Sequence, residues 1–249
     1  MITAGVDLSA DPKKTASCLI DWASKTVRLR HSGVTDADVV ELARRSDLVG
    51  LDVPLGWPMR FVAAVSGHEL GRDWPELPSP LLRYRVTDLL LQSSGHRPLS
   101  VSSDLIGVVA FRGARIQTLL RTEGLMIDRS GMTGRVVEVY PAAGLKLWGL
   151  AATGYKGTAG AERRADLVVQ LERASGCLAP SLQGQLLGAA DHAVDAFVCA
   201  VLAGAARAGL TSTPTADQVE AARIEGWIHV PTQSLAETIE AVARQEERV

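Results

Sequence analysis

Apolar and polar residues alternate at the start of the chain, with Ile2, Ala4, Val6 and Leu8 on one face and Thr3, Gly5 and Asp7 on the other. A period of two predicts a first β-strand whose second face carries little except Asp7. After the turn DPKK, the runs Thr15 to Trp22 and Thr26 to His31 are separated only by Ala-Ser-Lys, which predicts a three-strand antiparallel meander. Thr35 is placed to cap a short helix reaching Arg45, with Asp36 and Asp38 in the first turn, where acids complement the helix dipole. Leu48 to Val53 is a short apolar run of the kind buried on both faces, and Pro54 ends it because proline cannot continue a central ladder.

From about residue 54 to residue 134 the pattern changes. A Pro/Gly-rich segment, GHELGRDWPELPSP, precedes helical periodicity around Leu81 to Gln92 and Asp104 to Arg121, so this stretch reads as a helical insertion between strands four and five. Strand five is RVVEVY, Arg135 to Tyr140, closed by Pro141. Pro141 to Trp148 reads as helix, and the glycine-rich loop GYKGTAGAERR leads into another through Ala174. Gln185 to Arg207, QLLGAADHAVDAFVCAVLAGAAR, is apolar or small almost all the way round, which predicts a buried helix. Ala216 to Ala222, the strand-like RIEGWIHVP and a polar helix running to Glu246 and Glu247 complete the chain. The expected architecture is a single α/β domain over residues 1–249: a mixed five-stranded sheet flanked by helices, with the insertion at about 54–134.

Charge narrows the possible partners. Lys and Arg number 26 against 28 Asp and Glu, a net charge of −2, so no global footprint announces nucleic acid or an anionic membrane. Locally the balance differs: between Leu81 and Arg135 eight Arg face four acids, a candidate phosphate-binding surface that includes Arg85, Arg112 and Arg115. Ordinary solvated helix faces give the same count. Cys18, Cys177 and Cys199 are scattered and show no C-x-x-C pairing, which points to a reducing cytoplasm and away from a zinc or disulfide framework. The start MITAGVDLSAD carries no signal-peptide pattern, and the longest apolar run, Ala196 to Ala206, falls far short of the roughly 18 residues a span needs, so no membrane partner is expected. The chain has no G-x-S-x-G elbow, and the glycine-rich loop lacks the G-K-[ST] order of a phosphate-binding loop.

The buried helix supplies the candidate chemistry. Its only ionisable residues before Arg207 are Asp191, His192 and Asp195, at spacings that place ligand-type side chains one turn apart on one face. Gly5-Val6-Asp7 and Gly50-Leu51-Asp52 each put a glycine two residues before an aspartate, and a glycine there admits another backbone closely. With Gly184, Gly188, Asp191, Asp195 and Ala205 forming a small stripe, the helix is expected to cross those two strands and bring its acids to Asp7 and Asp52. Glu138 sits among apolar neighbours and needs a partner; an ion pair and a site role weigh equally. Lys156 or Arg163 can face a phosphate, the alternative being a solvated loop cation.

Strand, hairpin strands, helix, short apolar strand and late acidic helix, in that order, resemble the RNase H-like fold. The first-strand acid of RuvC-type resolvases falls on Asp7, the acid closing the fourth strand on Asp52, where resolvases commonly carry Glu, and the H-x-x-D of the last catalytic helix on His192 and Asp195. The motifs GVDLSA, LDVPLGWP, R-x-T-D from Arg85 to Asp88, EVYPA, DHAVDAFVCA and EGWIHVP are similar to domain-of-unknown-function family 429, predicted RNase H-like nucleases. That resemblance implies hydrolysis of RNA or DNA phosphodiesters with two divalent cations, Mg²⁺ or Mn²⁺, about 4 Å apart. Asp7 would bridge both ions, Asp52 and Asp195 would each complete one site, and Asp191 or His192 would serve as the remaining ligand or a proton shuttle. Glu138, Lys156, Arg85, Arg112 and Arg115 are the expected substrate contacts. The rival expectations are a catalytically inactive module binding nucleic acid or another partner, and an ATP-dependent phosphotransferase of the actin-like fold.

Overall fold

Strand alternation sets the sheet. In the computed structural model, which describes residues 1–150 and 152–246, β1 (Ile2–Asp7), β2 (Ala16–Asp21) and β3 (Thr26–Arg30) form the expected antiparallel meander. β4 (Leu48–Asp52) pairs parallel to β1, β5 (Val136–Val139) to β4, and β6 (Ile228–His229) to β5, giving the order β3-β2-β1-β4-β5-β6. Among the described residues the sheet thus has six strands rather than the five expected. Only Ile228 and His229 of the strand-like run pair with β5, and Arg223 to Glu225 of the same run end a helix. This mixed sheet flanked by helices is consistent with an RNase H-like fold.

Local chemistry fixes the ends of several helices. Helix α1 (Asp36–Arg45) opens on a reciprocal cap, in which the Thr35 hydroxyl accepts from the Asp38 N–H at 3.2 Å and the Asp38 carboxylate accepts from the Thr35 N–H at 2.8 Å. Between β4 and β5 lie α2 (Met59–Glu69), α3 (Ser79–Arg83), α4 (Val86–Ser93) and α5 (Ile106–Thr122). The continuous helix expected near Leu81 to Gln92 is broken at Tyr84, which is extended, and restarts at Val86, where Asp88 accepts the Arg85 N–H at 3.0 Å. The insertion is part of the core, because Ile116 and Leu120 of α5 pack with Val6, Val39 and Leu51. The chain continues through α6 (Pro141–Leu147), α7 (Ala161–Ala174), α8 (Ala179–Leu182), α9 (Asp191–Arg207), α10 (Val219–Glu225) and α11 (Leu235–Glu246); Glu247 lies outside the described residues. No described helix is long and apolar enough to cross a membrane.

Two apolar layers cover the sheet. Ala4 and Val6 of β1 face the α1 and α5 side, while Thr3, Gly5 and Asp7 face α9. Helix α9 is buried on all sides from Ala193 to Ala205, as its composition demands. It starts at Asp191, however, and Gln185 to Ala190 stand outside it. Gly184 (φ +78°) and Gly188 (φ +69°) are left-handed and Ala190 is extended, so the backbone breaks where hydropathy alone continues. The small stripe that meets the sheet is therefore Ala196, Cys199 and Ala200. A Cβ on Gly5 would lie 2.1 Å from the Ala200 nitrogen, and one on Gly50 would lie 2.5 Å from the Cys199 oxygen. Thr3 secures the same contact, donating to the Ala200 carbonyl at 3.0 Å while accepting from Trp22 Nε1 at 2.8 Å.

Candidate functional site

Register makes Asp7 and Asp52 direct neighbours at the C-terminal ends of two parallel strands. The close seat of α9 then brings Asp195 over them. One carboxylate oxygen from each of the three lies within 4.8 Å of the other two, the convergence the sequence pattern implied. Asp195 is fully buried, Asp7 nearly so, and Asp52 partly open. Three carboxylates so close cannot all ionise cheaply. Burial, and then the charge of Asp7, push the Asp52 carboxyl well above the usual range. Asp195 is raised to about 6, burial outweighing the opposing pull of Lys156.

Two cationic groups offset the remaining charge. Lys156 Nζ pairs with Asp195 Oδ2 at 2.7 Å, so the buried oxygen is met by a positive charge. Asp195 Oδ1 accepts from the Tyr155 hydroxyl at 2.6 Å. Burial disfavours the charged lysine, yet the charges of Asp195 and Asp52 hold its pKa above the ordinary value. His192 Nδ1 is hydrogen-bonded to Asp7 Oδ2, and that bond is the main reason its pKa lies above 6.5. The ring is about a third exposed, with a side-chain accessibility of 35%.

Asp191, expected as a fourth ligand, stands apart from the three acids. Its Oδ2 accepts the Gly157 N–H at 2.9 Å, and although burial pushes its pKa up, this bond and the nearby His192 and Lys156 leave it below the usual range. Asp191 thus latches the loop carrying Tyr155 and Lys156 to the start of α9. Tyr155 escaped the sequence reading. An aromatic residue in a glycine-rich loop has no periodicity to show which way it points.

Three of the other expected substrate contacts, Arg85, Glu138 and Arg112, turn inward. Every guanidinium N–H of Arg85 is used: Asp88 accepts from Nε at 3.0 Å and Nη2 at 2.9 Å, Glu138 from Nη1 at 2.8 Å and Nη2 at 2.7 Å, and the Glu225 carbonyl from Nη1 at 3.1 Å. Glu138 also accepts the Leu55 N–H at 2.9 Å, so of its two weighed roles the geometry supplies the ion pair. Arg112 binds Asp36 at 2.7 Å, the Ser9 carbonyl and Thr15 hydroxyl at 2.6 Å, and the Val34 carbonyl at 3.0 Å. It joins the turn after β1 to the entrance of α1. Arg115 remains exposed, 3.4 Å from Asp36. Lys156 reaches the acidic cluster, whereas Arg85, Glu138, Arg112 and Arg115 do not enter it.

A family model described as protein of unknown function (DUF429) matches residues 5–219, a span that contains all three converging acids. The chain belongs to that family. Neither a curated protein nor a solved structure matches this DUF429 chain. Its chemistry must therefore be read from the site. Three carboxylates, each offering an oxygen within 4.8 Å of the others, are a donor set that could hold a hard metal ion. No sulfur or neutral imidazole is needed to complete that set, and no cysteine of the DUF429 chain belongs to it among the described residues.

Proposed function

We propose that this DUF429 protein is a metal-dependent phosphodiester hydrolase acting on RNA or DNA, in which Asp7, Asp52 and Asp195 hold Mg²⁺ or Mn²⁺. The observation that carries the reading is the convergence of one oxygen from each acid to within 4.8 Å of the other two, at the C-terminal ends of two parallel strands. Divalent cations bound there supply a water of lowered pKa and positive charge for the phosphoryl oxygens. The chain's own residues divide the remaining work. Tyr155 holds Asp195 in place through Oδ1. Asp7 orients the His192 ring and favours its protonated form, which suits His192 to give a proton to the leaving oxygen. Lys156, on a stem with a side-chain accessibility of 55%, is long enough to turn from Asp195 to a phosphate oxygen. Exposed Arg97, Arg115 and Arg121 in the locally basic segment support a polyanionic substrate. Three scattered cysteines without C-x-x-C spacing fit a reducing compartment, and we place the activity in the cytoplasm.

The Lys156–Asp195 ion pair favours a second reading, in which the acids persist as a structural cluster in an inactive binding module. Paired assays separate the two. Thermal melts in chelator and in millimolar Mn²⁺ are combined with cleavage of end-labelled RNA and DNA, for the parent and for Asp7→Asn. The nuclease reading expects metal-dependent stabilisation and cleavage in the parent and loss of both in the variant. A parent that neither gains stability from Mn²⁺ or Mg²⁺ nor cuts any substrate leaves the inactive module standing.

A further inference from the structure

Beside the acidic cluster a cavity of about 270 Å³ opens, with Asp52 and Lys156 on its lining. Its walls are apolar: Val53, Leu99, Ile106, Val139 and Ile228, joined by the Tyr140 side chain. Arg85, Asp88 and Glu138 border it too, but they are almost wholly buried and bound to one another, with no guanidinium N–H to spare. The cavity thus pairs an apolar slot, without free donors from that network, with a site for phosphate chemistry at one end.

Size and polarity select the occupant. At about 270 Å³ the cavity is close to the lower end of the roughly 300–1,000 Å³ found for ligand pockets, enough for one ring system and too small for a base pair. A group that is flat and largely apolar on its faces, attached through a short link to a phosphate, is a nucleotide. A base stacked and paired within a continuous duplex cannot enter such a slot without leaving the stack. Arg97, which is exposed and makes no ion pair among the described residues, immediately precedes Pro98 and Leu99 of the lining and offers charge to a continuing strand.

We propose that this cavity receives an unpaired nucleobase adjoining the phosphate held at the acidic cluster. The substrate class is then a strand with a single-stranded or extrahelical nucleotide, recognised by shape and by contact with Tyr140 rather than by base identity. The inference rests on the nuclease reading and adds to it the structure of the substrate.

The test uses oligonucleotides carrying 2-aminopurine in a single strand, as a one-nucleotide bulge, or paired in an unbroken duplex, with the free 2-aminopurine nucleotide as a fourth ligand. Affinity and fluorescence are measured with the full chain in Ca²⁺, whose flexible oxygen coordination suits carboxylates. Expected are binding of the single strand and bulge about tenfold or more tighter than the duplex, with a fluorescence change confined to those two. Swapping the neighbouring base identities should leave this preference unchanged. Ala142→Phe, which narrows the lining, and Leu99→Asp, which charges its exposed wall, should each reduce the preference to about twofold or less. Both should keep the parent's Mn²⁺-induced rise in Tm; Leu99 is 57% exposed, so its variant does not depend on repacking a core. Equal binding of duplex and bulge, in a parent that Mn²⁺ stabilises and that cuts nucleic acid, overturns the pocket and leaves the nuclease. Free nucleotide binding as tightly as the strand overturns the polymeric substrate. A parent indifferent to metal and inactive on every strand removes the nuclease reading itself.

Discussion

Replacing Asp195 by Asn removes a charge that the native state bears at a cost. Burial and the neighbouring acids raise this carboxyl from 3.8 to about 6 even with Lys156 beside it, a difference of about 3 kcal/mol against the ionised form. Asn keeps the size and an acceptor for the Tyr155 hydroxyl, and the mostly exposed Lys156 stem can return its ammonium to water. A carboxyl whose folded pKa is raised contributes stability below its unfolded pKa, and that contribution is lost as pH rises through the folded value. The parent is therefore penalised progressively from about pH 4 through about pH 6, and fully at pH 7.5. In chelator at pH 7.5, Asp195→Asn should melt higher than the parent by up to about 6–12 °C, taking about 2–4 °C per kcal/mol for a chain of this length. At pH 4 the gain should shrink to about 2 °C or less. Mn²⁺ should reverse the order at neutral pH by stabilising only the parent. Calorimetric or fluorescence melts measure all three arms. An Asn variant that melts below the parent in chelator at pH 7.5 would refute the electrostatic strain and make Asp195 a structural ion-pair partner.

Metal affinity should carry the same protons. Because Asp52 and Asp195 hold theirs above the ordinary carboxyl range, titration calorimetry should show Mn²⁺ affinity rising by about tenfold or more between pH 5 and pH 7.5; a flat profile contradicts a site built on these acids. Arg112→Ala should cost about 3 kcal/mol in urea unfolding, since it deserts Asp36 and two carbonyls, while Arg115→Ala should stay within about 0.5 kcal/mol; similar losses at both positions would mean that burial does not distinguish them. Arg85→Met should destabilise by about 3–5 kcal/mol by leaving Asp88 and Glu138 buried without their cation, and Arg85→Lys should not restore it, because an ammonium cannot reproduce the two-sided fork; a rescue by Lys would argue against that geometry.

The half of the fold preceding the insertion was legible because its signals are local. Alternation marked β1, and Thr35 with Asp38 marked the start of α1 to the residue. The glycine two residues before each of Asp7 and Asp52 also foretold the close helix, since the absence of a side chain is itself visible in a sequence. What could not be read was direction. Eight arginines counted as a basic surface include Arg85, which is spent internally, and Arg112, which staples α1; charge counting cannot say which way a guanidinium turns. Gln185 to Ala190 look as apolar as the helix they precede, and the left-handed Gly188 with the extended Ala190 separates them. Asp191 and Asp195 share a helical face by spacing and both meet the loop of Tyr155 to Gly157, yet only Asp195 also reaches the strand acids.

The seat of α9 on Gly5 and Gly50 gives two inert positions control over calibration. The separation between Asp195 and the strand acids is set by how far the helix can sink, and the helix stops where its backbone meets bare Cα atoms. A single methyl at either place would act as a shim, lifting Asp195 from its counterparts while every acid stayed in the sequence. Such a protein would look fully equipped and be mistuned. An inventory of carboxylates therefore cannot by itself say whether three oxygens converge; the instrument's tolerance is written in the two residues that have nothing to react with.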